Sequence, residues 1–314
     1  MTPVFFLGVD GGGTKTRFAL MNGDRKVLSE AQLGTSYHPE VGLEGVREVL
    51  ANGTAKVLAG AGIDASRITY AFFGLPCHGE DAAITPSLDA MPGPILGHDR
   101  YTCDNDMVCG WAGSLGAEDG INIVAGTGSI GFGQRRGRSA RAGGWGEAFS
   151  DEGSAYWIAM QGLNAYSRMS DGRLPRGPLH TLVNTSLKLE NDLDLCAQVY
   201  GPNARTRGEL AQFSPLVAEA AALGDEAAVN VLRRAGHELA LIAEALRQKL
   251  GFETGEAVRL SYSGGAFNAG DVLMTPFREA LAAASPAFEL CRPLYEPHVG
   301  AALYAAKLWY AMRR

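Results

Sequence analysis

Asp10, Thr14, Thr127 and Ser129 stand in two glycine-rich turns that follow one local recipe. The first reads Leu7-Gly8-Val9-Asp10-Gly11-Gly12-Gly13-Thr14-Lys15-Thr16, and the second Ile121-Asn122-Ile123-Val124-Ala125-Gly126-Thr127-Gly128-Ser129-Ile130-Gly131. Each is a short apolar run, a tight Gly/Thr turn and a second apolar-alternating run, which is the pattern of a β-hairpin. Glycine there lets a ligand approach the backbone closely. Successive turn N–H groups make a concavity for an anion, and Thr or Ser hydroxyls add donors. Two such turns in one chain suit a polyphosphate gripped from two sides. A plain pair of hairpins needs neither Asp10 nor the Thr and Ser content.

Rival phosphate-binding patterns fail on local structure. Gly126-Thr-Gly-Ser-Ile-Gly131 satisfies G-x-G-x-x-G, and Glu147 lies near the distance expected for a ribose-binding acid. A dinucleotide site needs that turn to open a helix, whereas Phe132-Gly-Gln-Arg-Arg-Gly-Arg138 cannot start a stable one. Gly8 to Lys15 mimics a P-loop, but Thr14 precedes Lys15 where that pattern wants the reverse order, and no helix follows. The glycine loop of protein kinases is a hairpin too, yet the chain has no H-R-D or D-F-G.

The surrounding pattern supplies a scaffold for these turns. After the first hairpin, Lys26–Gln32 reads as a third strand and Gly34–Gly42 as a loop. Val41–Ala61 has helical spacing, Ile68–Leu75 is an apolar strand ending at Pro76, and Ile95–Cys103 predicts another short strand. Asp104-Asn105-Asp106 then leads into a helix over Met107–Leu115. That gives β-β-β-α-β-α-β-α for the first third, closed by the polar break Gly116–Gly120. The pattern restarts at Ile121, followed by helical stretches around Gly153–Met169 and Gln212–Leu250. A strand over Val258–Tyr262 runs into Ser263-Gly264-Gly265 and a helix, and Gly300–Tyr310 predicts a last helix. The repeated unit is a domain, strands first and helices after, twice.

Composition narrows the partners. A chain of 314 residues suggests two cores. With 46% hydrophobic and 20% charged residues it has the make-up of a soluble globular protein. A net charge of −6 argues against nucleic acid or an anionic membrane as partner, so a phosphate site must be built locally from backbone donors and a metal. Five cysteines without a C-x-x-C pair imply reduced thiols and a cytoplasmic protein. The six histidines form no zinc-ligand pattern. Neither a signal peptide nor a membrane span is expected, since no apolar run reaches 18 residues.

Asp10-Gly-Gly-Gly-Thr14, Asn105-Asp106, Gly126-Thr-Gly-Ser129 and Ser263-Gly264-Gly265, in that order, resemble the superfold of sugar kinases, heat-shock ATPases and actin. Gly143-Gly-Trp-Gly146 followed by Asp151-Glu-Gly-Ser-Ala-Tyr-Trp-Ile-Ala159 is similar to the N-acetylglucosamine kinases, which belong with the BadF/BadG/BcrA/BcrD ATPases. The resemblance covers nearly the whole chain. It implies an α/β fold of two actin-like (ribonuclease H-like) domains with a nucleotide and sugar cleft between them. The expected domains are 1–116, 117–298, and a terminal helix over 299–314 packing back on the first. The implied activity is ATP-dependent transfer of the γ-phosphate to the 6-hydroxyl of N-acetylglucosamine. A glucosamine or glucose kinase of the same family, or a BadF-type ATPase, is the alternative.

The resemblance also implies roles. Gly11, Gly12, Gly13 and Thr14 hold the β- and γ-phosphates, and Gly126, Thr127 and Gly128 cradle them from the other domain. Gly264 and Gly265 let the adenosine lie against the backbone; read alone, that Ser-Gly-Gly is a strand-to-helix turn. Asp10 holds Mg²⁺ through water, or else caps its own turn. Asp106 is the general base, with Asp104 as competitor or as cap of the following helix. Gly144, Trp145 and Gly146 form the sugar-facing wall, and Ser36, Ser129 and Asp151 line the sugar. Asp151-Glu152 also suits a helix N-terminus. Two departures fall on the sugar side: Thr35-Ser36-Tyr37-His38 where related kinases place an Asn, and Ile130 where the animal enzymes have Asn. The expected partners are ATP, Mg²⁺, a small sugar and a second copy of the chain.

Overall fold

A computed structural model describes residues 3–200, 204–285 and 287–313. The chain divides into two compact units, residues 1–119 with 292–314, and residues 120–291.

The first unit is built on strands β1 (Phe5–Asp10), β2 (Thr16–Asn22), β3 (Val27–Leu33), β4 (Tyr70–Leu75) and β5 (Tyr101–Asn105), in the order β3-β2-β1-β4-β5. The first three form an antiparallel meander, whereas β4 and β5 lie parallel to β1. Parallel pairs need crossovers, and helix α1 (His38–Ala61) provides the first, with short helices α2 (Thr85–Ala90) and α3 (Pro92–Leu96) on the second. Central β1 and β4 are almost wholly buried, as continuous apolar runs covered on both faces must be. Helix α4 (Met107–Leu115) follows β5 and ends at Gly116, which takes a left-handed conformation.

The second unit repeats this plan. Strands β6 (Gly120–Ala125), β7 (Ser129–Arg135), β8 (Arg138–Gly143), β9 (Val258–Ser263) and β10 (Phe288–Cys291) lie in the order β10-β9-β6-β7-β8, again a meander flanked by two parallel strands. A helical insertion separates β8 from β9: α5 (Ala155–Ser170), α6 (Pro178–Leu187), α7 (Leu195–Val199), α8 (Arg207–Ala211), α9 (Ser214–Ala222) and α10 (Glu226–Lys249). Helix α11 (Asp271–Ala284) connects β9 to β10. The amphipathic α10 buries Val231, Leu232, Ala235, Leu239, Ala243 and Leu246, each worth roughly 1–3 kcal/mol by its size. Helix α12 (Pro297–Ala311) closes the chain and belongs to the first unit, where it packs on α4 and β1. Its small-residue face permits this: a Cβ on Gly300 would overlap the Gly113 backbone of α4.

Two expectations need correction. No strand spans 95–103: Ile95 lies in α3, which starts at Pro92 and stops where Gly97 turns left-handed, and the strand begins only at Tyr101. The stretch 212–250 is two helices, because Gly224 breaks it and the Asp225 side chain caps α10 by accepting from the Ala228 N–H at 3.0 Å. The edge strand β10, four residues long, was not expected. Among the described residues no helix is long and apolar enough to cross a membrane, and the five cysteines are free.

Candidate active site

In the first unit, the predicted residues gather at the carboxyl ends of the central strands. Asp10 ends β1, pairs in register with Arg17 of β2 and with Gly74 of β4, and its turn continues through exposed Gly13 and Thr14. The Gly11 N–H donates to the Gly74 carbonyl at 2.8 Å, which pins the base of the turn. Among the described residues, the N–H groups of Gly12, Gly13 and Thr14 donate to no other group. These donors are therefore available to an anion. The loop after β3 braces the turn from behind. Thr35 Oγ1 donates to the Gly12 carbonyl at 2.8 Å, and Ser36 is buried against Gly11 with its hydroxyl unpartnered.

Asp106 follows β5 and begins α4. Gly74 lies between it and β1, and a Cβ on Gly74 would stand 3.2 Å from the Asp106 Cα. Burial lifts the Asp10 carboxyl to about 8; the Asp106 charge adds to the rise and Arg17 opposes it. Asp104 differs: its Oδ1 accepts the Asn105 N–H at 2.7 Å, and its charge acts on Cys103 and Cys109. Buried Asn105 holds the turn, donating to the His78 carbonyl and accepting from the Met107 N–H, both at 3.2 Å. Burial pushes the Cys109 thiol well up, so it stays a neutral core group that donates to the Val9 carbonyl at 3.5 Å.

In the second unit, the β6–β7 turn, the loop after β8 and the end of β9 converge. The Gly126 N–H donates to the Gly128 carbonyl at 2.9 Å, while those of Thr127 and Gly128 have no partner among the described residues. Gly264, at φ +106°, lies against this turn, where a Cβ would sit 2.7 Å from the Gly126 nitrogen and overlap Ala125. Only glycine fits both that angle and that approach. Beside Gly265 opens a cavity of about 290 Å³, walled by Ser214, Pro215, Ala218, Asn268 and Ala269. Sequence reasoning missed these walls. Ser214-Pro215 was the available signal, since proline favours the first turn of a helix.

The Gly-Trp-Gly and Asp-Glu-Gly-Ser blocks lie on the same side of this unit. Ser129 is buried and its hydroxyl donates to the Glu152 carbonyl at 2.7 Å; the Ala155 N–H donates to the Gly126 carbonyl at 2.8 Å. The loop is thus laced to the turn. Gly144 rests on Ile130, which accounts for an apolar residue at that position. Trp145 is 72% exposed, leaving its indole face open to a ligand. Asp151 is only 4% exposed and receives Arg207 Nη2 at 2.5 Å. Burial raises its pKa, Arg207 lowers it, and the backbone groups of Ser129 and Gly146 lower it further. Arg207 was not singled out from the sequence. The Thr206-x-x-Glu209 capping box marks the start of its helix, but nothing local says that it reaches back 56 residues.

Known proteins resemble this chain along nearly its whole length. A Dictyostelium discoideum N-acetyl-D-glucosamine kinase is 29% identical over 314 residues, covering 97% of this chain and 98% of the relative. A Clostridium acetobutylicum N-acetylmuramic acid/N-acetylglucosamine kinase is 31% identical, covering 88% and 90%. Among solved structures, a candidate N-acetylglucosamine kinase from Chromobacterium violaceum superposes with a TM-score of 0.72 at 26% identity, over 95% of this chain and 98% of that one. The twice-repeated sheet is the actin-like α/β fold that the sequence resemblance implied. With its match running over residues 7–305, from the middle of β1 into α12, the chain belongs to the BadF/BadG/BcrA/BcrD ATPase family.

Proposed function

We propose that this protein is an ATP-dependent amino-sugar kinase that transfers the γ-phosphate to the 6-hydroxyl of N-acetylglucosamine. The observation that carries the reading is the placing of Asp10 and Asp106 on either side of Gly74, beside a turn whose N–H groups have no partner among the described residues. Phosphoryl transfer needs positioning, charge neutralisation and a proton acceptor for the incoming hydroxyl. Asp106 takes the 6-hydroxyl proton, while Asp104 stays committed to its own turn. Gly12, Gly13 and Thr14 of the first unit offer backbone N–H groups to phosphate, and Thr127 and Gly128 of the second unit offer donors of the same kind. The adenosine enters the cavity beside Gly265, where Ser214, Glu219 and Asn268 are the polar groups and Ile158, Leu232 and Pro215 the apolar wall.

Asp10 at the end of β1 supplies a hard oxygen donor beside the phosphate-facing turn, which suits Mg²⁺. When bound, the ion neutralises charge on the phosphate oxygens. Trp145 offers an apolar face for the acetyl methyl, and Asp151 accepts from ring hydroxyls on any carboxylate lone pair left by Arg207. The kinases named above support N-acetylglucosamine over glucosamine and glucose. Free cysteines fit a cytoplasmic setting, and a homodimer is the assembly the resemblance implies. Comparing kcat/KM on the three sugars and on N-acetylmuramic acid tests the substrate. N-acetylglucosamine should lead; a tenfold lead for glucosamine, about 1.4 kcal/mol in the transition state, would overturn the assignment.

A further inference from the structure

Arg207 stands at the first position of α8, behind a Thr206/Glu209 capping box that fixes the helix start. Its guanidinium spans two acids of the loop between β8 and α5. Nη2 donates to Asp151 at 2.5 Å and Nη1 lies 3.2 Å from Glu147. The group also sits 6.0 Å above the Tyr156 ring. Two carboxylates four residues apart are thus drawn onto one planar fork, a task for which lysine has no equivalent geometry. Trp145 and Gly146 immediately precede the segment that this fork ties down.

The clamp interlocks with the phosphate turn. A Cβ on Gly128 would stand 2.8 Å from both Arg207 Nη2 and Asp151 Oδ2. The ion pair therefore fills the space next to a turn residue without a side chain. Asp151 itself adopts φ +63°, a left-handed conformation unusual for a non-glycine residue, so the surrounding contacts must hold it there. An exposed ion pair would contribute little, but this acid is almost wholly buried although Arg207 is 38% exposed.

We infer that Arg207 is a positioning residue for the sugar side of the site: it clamps the 144–151 loop against the Gly126–Ser129 turn and sets the orientation of Asp151 and Trp145. This rests on the kinase reading above and adds to it a residue that touches neither substrate. The charged and polar groups facing Asp151 are Arg207 from α8, Glu147 and Gly146 from its own loop, and Ser129 from the turn. Without Arg207 the buried carboxylate faces only Glu147 as a charge and takes up a proton at higher pH. It then accepts sugar hydroxyls less well.

Arg207→Ala and Arg207→Lys in the full chain test this, with thermal melting as a folding control and sugar binding followed by Trp fluorescence. Arg207→Ala should raise the sugar KM on the order of tenfold, raise the ATP KM distinctly less, and move the acid limb of the sugar kcat/KM profile upward by about one pH unit. Arg207→Lys should restore the acid limb and recover only part of the KM, since it keeps the charge and loses the fork. A lower melting temperature with unchanged sugar KM and acid limb would reduce the pair to a structural bridge and overturn the inference. An equal rise in both KM values would overturn it in favour of a direct phosphate contact. A wild-type protein without sugar-dependent ADP release would instead overturn the kinase reading itself.

Discussion

Replacing Asp10 by Asn should stabilise the ligand-free protein at neutral and alkaline pH while impairing its activity. The folded-state pKa of Asp10 lies at about 8, against 3.8 for the free side chain, with burial as the main cause and the Asp106 charge second. Between these values the folded chain keeps a proton that the unfolded chain has released. Stability therefore falls as pH rises from about 4 to about 8. At 1.36 kcal/mol per pH unit the full separation caps the loss at roughly 5–6 kcal/mol. Water entry and side-chain relaxation around the ionised pair bring the expected figure to about 2–3 kcal/mol. For a unit of this size that is on the order of 5–10 °C in Tm. Asn mimics the protonated acid, so Asp10→Asn should match wild type near pH 4.5 and exceed it increasingly toward pH 8.5. Circular-dichroism melts across that range, with EDTA present, give the comparison. A difference in Tm that does not vary with pH, or a variant less stable at pH 8, would refute the reasoning.

Asp106→Asn should lower turnover by roughly 10²–10⁴-fold with ATP binding retained, because only the proton acceptor is removed; steady-state kinetics with Asp104→Asn as comparison checks the assignment, and it fails if Asp104→Asn is the crippled variant. Gly264→Val places carbon atoms on the Ala125 carbonyl and beside the Gly126 nitrogen, and should raise the ATP KM or Kd at least tenfold, readable by calorimetry. Gly300→Leu drives a side chain into the Gly113 backbone and should cost about 3 kcal/mol or more in the first unit, seen as an early denaturant transition.

Much of this was legible because strand pairing is local at the two hairpins. Leu7–Asp10 against Arg17–Leu20, and Ile121–Ala125 against Ser129–Gly133, declare themselves by alternation and by the turn between them. Asn105-Asp106 could be placed because the strand-to-helix switch is equally local. The missed features are those set by distant partners. β10 is a four-residue edge strand that exists by pairing with β9, and Pro92 with Gly97 cut a helix out of a stretch whose apolar content also suits a strand. Asp151 was read as a sugar contact from its motif. Its neighbours show that much of its bonding capacity is spent on Arg207 and the Ser129 and Gly146 backbone, a fact held in tertiary contacts alone. Ile130, a departure from related kinases in the sequence, is explained only by Gly144 packing on it.

³¹P NMR of the products formed from ATP and N-acetylglucosamine tests sugar-dependent phosphoryl transfer directly. The predicted spectrum shows ADP and one phosphomonoester on the 6-hydroxyl in equal amounts, with ATP left intact when the sugar is omitted. ADP and inorganic phosphate appearing at the same rate with or without the sugar would contradict it.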